Sequence, residues 1–294
     1  MNRMYAALAT AFSLMAFAPG CATENEPLTI GLVPSSDPAA MIERFAPIEA
    51  YLEQELERPV DTVVTEHYAG LIERMKAESV DIGWYGAFSY TAAQAELELE
   101  PMVIQRREGS GLFYHSVIVT RSDSDFASVE DLEGASFAFV DRGSTSGFII
   151  PYALFKSRGI EYERFFGSVA FSGTHDSVLE DVMEGDADAG VLEDLTLQKW
   201  IASDKLDAPD VRVLWQSEPL PGSPFAARAS LKDGLKSEFR EAMIAIHEKD
   251  PSAMKRFDER IERFEPFEDA LYKDIRNIST ILGKSYVLDN FLNN

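Results

Sequence analysis

Short apolar runs alternate with segments of helical period along most of this chain, and that alternation is the strongest constraint on its fold. Leu28 to Val33 reads as a strand. Asp37-Pro38 then supplies an N-cap followed by proline at the first helical position, and Met41, Phe45, Ile48, Leu52 and Leu56 recur along one helix face. Strands at Val60 to Val64, Val80 to Trp84, Pro101 to Gln105 and Ser116 to Thr120 are interleaved with helices at Tyr68 to Ala77 and Ser89 to Glu96. The second half repeats the order. Strands at Phe137 to Val140, Val169 to Phe171, Ala189 to Leu192 and Val211 to Trp215 alternate with helices at Phe148 to Phe155, Asp176 to Met183 and Leu195 to Ala202. Pro219, Pro221, Gly222 and Pro224 make a stiff crossing, and the remainder reads as mainly helical. Such alternation predicts α/β units with mostly parallel sheets and helices on both faces. Two units joined by extended segments predict two lobes with a cleft between them, and ligands of open α/β sheets sit beyond the strands' C-terminal ends.

One strand-to-helix turn carries an unusual load. Asp141-Arg142-Gly143-Ser144-Thr145-Ser146-Gly147 places three consecutive hydroxyls between two glycines at a helix start. The first turn of a helix has unpaired N–H groups and the positive end of the dipole, which suits an anion. Ser144, Thr145 and Ser146 add donors that can wrap a tetrahedral oxyanion; the plainer reading is an ordinary N-cap. No lysine follows, so this is not a nucleotide P-loop.

The 294 residues, 46% of them hydrophobic, suffice for a large core and about two domains. Residues 1–21 read as an export signal, with Arg3 ahead of an apolar segment and small residues before Cys21. Cys21, the only cysteine, stands where a bacterial lipobox would be lipidated; plain cleavage near Ala18 or Ala22 is the alternative. A disulfide within the exported chain is excluded, and no later segment has the length and apolarity of a membrane span. The formal net charge of −23 argues against nucleic acid and anionic membrane surfaces. It also means that an anion would have to be held by local dipoles rather than by long-range attraction.

Other residues with chemical potential fall at strand ends. Tyr68, Tyr85 and Tyr114 can each donate to an oxyanion or simply pack. His175 opens a second hydroxyl-rich turn, Ser172-Gly173-Thr174-His175-Asp176, as an anion donor or a solvent-facing cap. Glu193 and Asp194 follow a strand; Asp194 either accepts a proton from a hydrogen-bearing oxyanion or caps the next helix. Four histidines and no acidic cluster at ligand spacing exclude a metal site.

Taken in order, His67-Tyr68-Ala69-Gly70-Leu71-Ile72, Val80-Asp81-Ile82-Gly83-Trp84-Tyr85-Gly86, Tyr114-His115-Ser116-Val117-Ile118-Val119, Gly143-Ser144-Thr145-Ser146-Gly147-Phe148, Ser172-Gly173-Thr174-His175-Asp176 and Pro219-Leu220-Pro221-Gly222-Ser223-Pro224 resemble the phosphonate-, phosphite- and phosphate-binding periplasmic proteins of ABC importers. The resemblance implies the type II two-lobed fold, with mixed sheets, flanking helices and a cleft closed by a hinge. One lobe is expected from residues 27–116 plus 222–294 and the other from 117–221. It implies that Ser144, Thr145 and Ser146 grip the phosphorus-bound oxygens, with Tyr68, Tyr114 and His175 completing the cage. Relatives that bind aminoalkyl phosphonates carry an aspartate where this chain has Ser223, so phosphite, phosphate or a small alkylphosphonate is the expected ligand. The expected role is a monomeric extracytoplasmic binding protein serving an ABC permease, without a cofactor. A subunit presenting its ligand to a membrane sensor kinase would have the same site. An enzyme would need a metal site or a nucleophile with its base, and the sequence offers neither.

Overall fold

The computed structural model describes residues 26–282 and Phe291. The expected export signal and the expected lipidation site, Cys21, lie outside the described residues. In chain order, β1 (Leu28–Leu32), α1 (Pro38–Glu55), β2 (Val60–Val64), α2 (Tyr68–Lys76), β3 (Ile82–Trp84), α3 (Ala87–Glu96) and β4 (Leu99–Arg107) lead to β5 (Phe113–Tyr114). The chain then forms β6 (Ser116–Arg121) and β7 (Ser136–Phe139). A π-helical turn (Thr145–Ile149) continues as α4 (Ile150–Ser157) and is followed by α5 (Tyr162–Phe165). Next come β8 (Ser168–Phe171), α6 (His175–Glu184), β9 (Ala189–Glu193), α7 (Asp194–Ala202) and β10 (Val211–Gln216). The return runs through β11 (Leu220–Pro221) to β12 (Pro224–Arg228), α8 (Asp233–Lys249), α9 (Pro251–Phe257), β13 (Ile261–Pro266) and α10 (Lys273–Leu282).

Two mixed sheets result. The six-stranded sheet has the order β13-β4-β12-β3-β1-β2, and the five-stranded sheet the order β10-β6-β9-β7-β8. Each keeps a parallel group, β3-β1-β2 in one and β9-β7-β8 in the other. The remaining pairs, including β12 with β3 and β6 with β9, are antiparallel. The expectation of mostly parallel sheets therefore holds only for these groups. Strands that enter from the other unit, or lead out to it, cannot be joined by a right-handed βαβ crossover and pair antiparallel instead. Two crossings, β4 to β6 and β10 to β12, connect the units, and their middles pair as the ribbon β5-β11 through Tyr114 with Leu220 and Phe113 with Pro221.

The region after residue 224, expected to be mainly helical, also contains β12 and β13. Pro224-Phe225-Ala226-Ala227 is buried throughout, too short an apolar run to show a period. In β13 the inward residues Ile261 and Phe264 are separated by charged residues on an edge strand, which hides the alternation. The Asp37 cap is as expected: its carboxylate accepts the N–H of Ala40 at 2.8 Å. The cores are aromatic-rich. Phe137 stacks on Phe166 with centroids 4.3 Å apart, and Phe45 meets Phe257 edge-on at 5.3 Å.

Candidate functional site

The hydroxyl-rich turn after β7 is built from its own side chains. The Asp141 carboxylate accepts the N–H of Gly143 at 2.7 Å, and Ser144 Oγ accepts the N–H of Gly147 at 3.0 Å, so Ser144 is the N-cap. The first turn is wide. Ile149 N–H reaches the Ser144 carbonyl at 3.0 Å and Ile150 N–H the Thr145 carbonyl, both five residues back. A π-type first turn leaves the N–H groups of Thr145 and Ser146 with no intrahelical acceptor. Gly147 is required by space: a Cβ there would stand 2.3 Å from Val140 Cγ2. Ser144, Thr145 and Ser146 are each at most 2% exposed.

The other sheet supplies the facing groups. Phe88 N–H, in the first turn of α3, donates to Thr145 Oγ1 at 2.8 Å. The N-cap of α3 is Gly86, which has no side chain to do this, so Thr145 caps the helix from the opposite lobe. Tyr68, the first residue of α2, places its phenol beside Ser144 and its backbone N–H beside the Asp141 carboxylate. Tyr114, on the crossing strand β5, places its phenol beside Ser146 and Thr145. Burial raises the pKa of both phenols, and the charge of Glu193 raises it further, so both stay protonated as donors.

His175 begins α6 and is 2% exposed. Its backbone N–H donates to the Ser35 carbonyl of the other lobe at 3.2 Å, and its Nδ1 accepts the N–H of Glu193 at 3.1 Å. Burial lowers its pKa, against the opposing charges of Glu193 and Asp176. A neutral ring whose Nδ1 is an acceptor carries its proton on Nε2, which leaves one more neutral donor.

Two expected residues are placed elsewhere. Tyr85 shares a pleat face with Gly83 and fills the space left by that glycine, where a Cβ would lie 2.5 Å from its ring. It packs on Tyr90 at 6.3 Å between centroids, inside the core. Asp194 turns its carboxylate to the N–H of His115 at 2.9 Å and to Gln198 at 3.1 Å, fastening the crossing to α7. The carboxylate that bears on Tyr68, Tyr114 and His175 is that of Glu193, one residue earlier at the end of β9. Strand alternation alone could have separated Glu193 from Asp194. The Phe88 N–H and the acceptor role of Asp141 lacked any such signal, because both depend on how the lobes meet.

A cavity of about 310 Å³ between the lobes reaches the edge of this cluster at Ser35, Trp84 and Glu193. Among the described residues no group of three or more His, Cys, Asp or Glu side chains is placed to hold a metal ion, and no helix is long and apolar enough to cross a membrane.

Residues 30–272 match the family model described as ABC transporter, phosphonate, periplasmic substrate-binding protein. The chain belongs to that family. Members are solute-binding components of periplasmic import, and the chain accordingly has the two-lobed type II binding-protein fold. One relative, a phosphate-import protein PhnD of Mycolicibacterium smegmatis, is 29% identical over 277 residues, covering 88% of this chain and 86% of its own. A probable ABC transporter phosphite-binding protein, PhnD1, of Prochlorococcus marinus is 22% identical, over 96% of this chain and 99% of its own. A solved structure of PhnD1 from Prochlorococcus marinus in complex with methylphosphonate superposes with a TM-score of 0.78 at 23% identity, over 87% of this chain and 98% of that one. As a substrate-binding protein of this family, the chain works with the permease of an ABC importer.

Proposed function

We propose that this protein captures a small phosphorus oxyanion, namely phosphite, phosphate or a short alkylphosphonate, and delivers it as a monomer to an ABC permease without altering it. The observation that carries this reading is the meeting of Ser144, Thr145 and Ser146 with Tyr68 and Tyr114, buried donors drawn from both lobes; the buried His175 shares the neighbouring Glu193 carboxylate with both phenols. These donors are neutral, so the cage works in a chain of net charge −23. The two lobes are residues 27–116 plus 222–294 and residues 117–221, with β5-β11 between them as the hinge ribbon. Closure expels water, which strengthens every donor–oxyanion bond.

Glu193 sets the selectivity. A carboxylate beside the cage repels an oxyanion that has only acceptor oxygens and accepts a hydrogen bond from one that keeps a P–OH. Sulfate carries no proton at neutral pH and is rejected on that ground. The names of the Mycolicibacterium and Prochlorococcus relatives, for phosphate and phosphite, support the ligand class. Calorimetric titration of residues 22–294 against phosphite, phosphate, methylphosphonate, aminoethylphosphonate and sulfate tests the reading. Saturable binding of a phosphorus oxyanion with sulfate excluded supports it; no binding of any phosphorus compound overturns it.

A further inference from the structure

The cavity between the lobes is far larger than an oxyanion requires. Its volume of about 310 Å³ is that of some ten waters in the liquid, at ~30 Å³ each. Its lining is also out of keeping with the rest of the molecule. In a chain of net charge −23, it contains Arg44, Arg107, Lys199, Lys255, Arg256 and Arg260. Most of these have carboxylate or carbonyl partners. Arg107 and Arg260 both hold Asp258, at 3.0 and 3.2 Å, and Lys255 reaches Glu108 at 2.6 Å.

Lys199 is the one cation of this lining on the second lobe, and among the described residues neither it nor Arg44 has a carboxylate within hydrogen-bond distance. Arg44, on α1, is half-buried and gives its Nε to the Ala40 carbonyl of its own helix at 3.2 Å. Lys199, on α7, is half-buried and stands 4.0 Å from Asp176, whose two oxygens already accept Ser36 Oγ–H and Trp200 Nε1–H, each at 2.6 Å. Arg44 belongs to one lobe and Lys199 to the other, and both line the one cavity. Lobe closure therefore brings two cations together, which costs free energy unless an anion lies between them.

We propose that this cavity is a second ligand subsite, receiving the carbon substituent of an organophosphonate and holding an anionic group at its far end between Arg44 and Lys199. The proposal rests on the oxyanion reading above, because the phosphonate end is anchored in the Ser144–Ser146 cage. Ser35, Trp84 and Glu193 line the cavity, and the backbones of Ser35 and Glu193 also hold His175 of the cage. The lining also holds four acids, Asp176, Glu193, Asp258 and Glu259, against its six cations; Asp258 is held by two arginines, Asp176 stays ionised beside Lys199, and the excess of cations remains. The substrate class is thus a phosphonate bearing a second acidic group on its carbon chain.

The test is calorimetric titration of the wild type, Arg44→Gln and Lys199→Gln with methylphosphonate, propylphosphonate, 3-phosphonopropionate and 3-aminopropylphosphonate. The expected result is 3-phosphonopropionate bound at least about tenfold tighter than propylphosphonate, a charge-assisted contact that each variant removes. Methylphosphonate affinity should hold or rise in both variants, since each removes a repulsion on closure. A wild type that binds the propyl or aminopropyl compound as tightly as the carboxylate overturns the subsite while the oxyanion reading stands. So does a carboxylate preference that survives both substitutions. Failure of methylphosphonate and of all the longer phosphonates to bind would remove the oxyanion reading itself.

Discussion

Thr145→Val gives the sharpest test of how binding and closure are coupled. The substitution keeps the shape of the side chain and removes only its hydroxyl. That hydroxyl does two things: it caps α3 across the cleft by accepting the Phe88 N–H at 2.8 Å, and it stands among the donors facing the proposed ligand. An N-cap contributes about 1 kcal/mol, and a hydrogen bond to a charged group about 1.5–3 kcal/mol. Together they amount to about 3 kcal/mol, or roughly two orders of magnitude in Kd for the bound oxyanion. The cap bridges the lobes, so it exists only in the closed state; in an open lobe water satisfies the Phe88 N–H. The variant should therefore lose affinity while the ligand-free protein melts within about 2 °C of the wild type, a window set by the usual small effect of a substitution that strands no group. Calorimetry gives the first quantity and scanning calorimetry of the apo protein the second. An affinity within twofold of wild type, or a loss that reappears in full as apo instability, would refute the trans-cap argument.

Other outcomes follow from the same geometry. His175 is neutral because burial lowers its pKa below the ordinary value of about 6.5, so the unfolded chain takes up a proton before the folded one does. Stability from this group is complete above about pH 6.5 and is lost as pH falls from there through the lowered folded value; His175→Asn should melt with a flatter pH dependence below about pH 6.5, measured by Tm against pH. Gly147→Ala forces a Cβ to 2.3 Å from Val140 and 2.8 Å from Ser144 Oγ, and should cost about 1–3 kcal/mol, read as a fall in Tm. Ser223 lies at the end of the return crossing, its carbonyl receiving the Gln105 amide at 2.5 Å when that amide is turned to accept Trp84 Nε1. Ser223→Asp should raise aminoethylphosphonate affinity about tenfold, a charge-assisted pair, and titration showing no gain would mean the 223 side chain does not face the ligand.

The legible parts of this protein were those encoded locally. Alternating apolar runs marked the strands and helices of both units, and the Asp37 cap stands where its residue type requires. The Ser144-Thr145-Ser146 turn was legible because three hydroxyls at a helix start are unusual whatever surrounds them. Two expected site residues turn to other partners. Tyr85 reads from its position at a strand end as a donor or a packing residue, and the missing side chain of Gly83 opens a space in the core that its ring fills. Glu193 and Asp194 are adjacent acids at the end of β9, where alternation sends neighbours to opposite sides, and Asp194 is the one that binds the His115 N–H.

By itself, the sequence determined the α/β units, the order of the motifs and the hydroxyl-rich chemistry of the Ser144–Ser146 turn, because those depend on backbone preferences and on residues close together in the chain. Tertiary structure decided everything that needs two lobes at once. Phe88 and Thr145 are 57 residues apart, and the acceptor for Ser36 is Asp176, 140 residues on. No local pattern specifies such pairs; they arise when two crossings fold two sheets against each other. The like charges of Arg44 and Lys199 belong to the same class: each is an ordinary surface residue of its own helix until closure places them on opposite walls of one cavity.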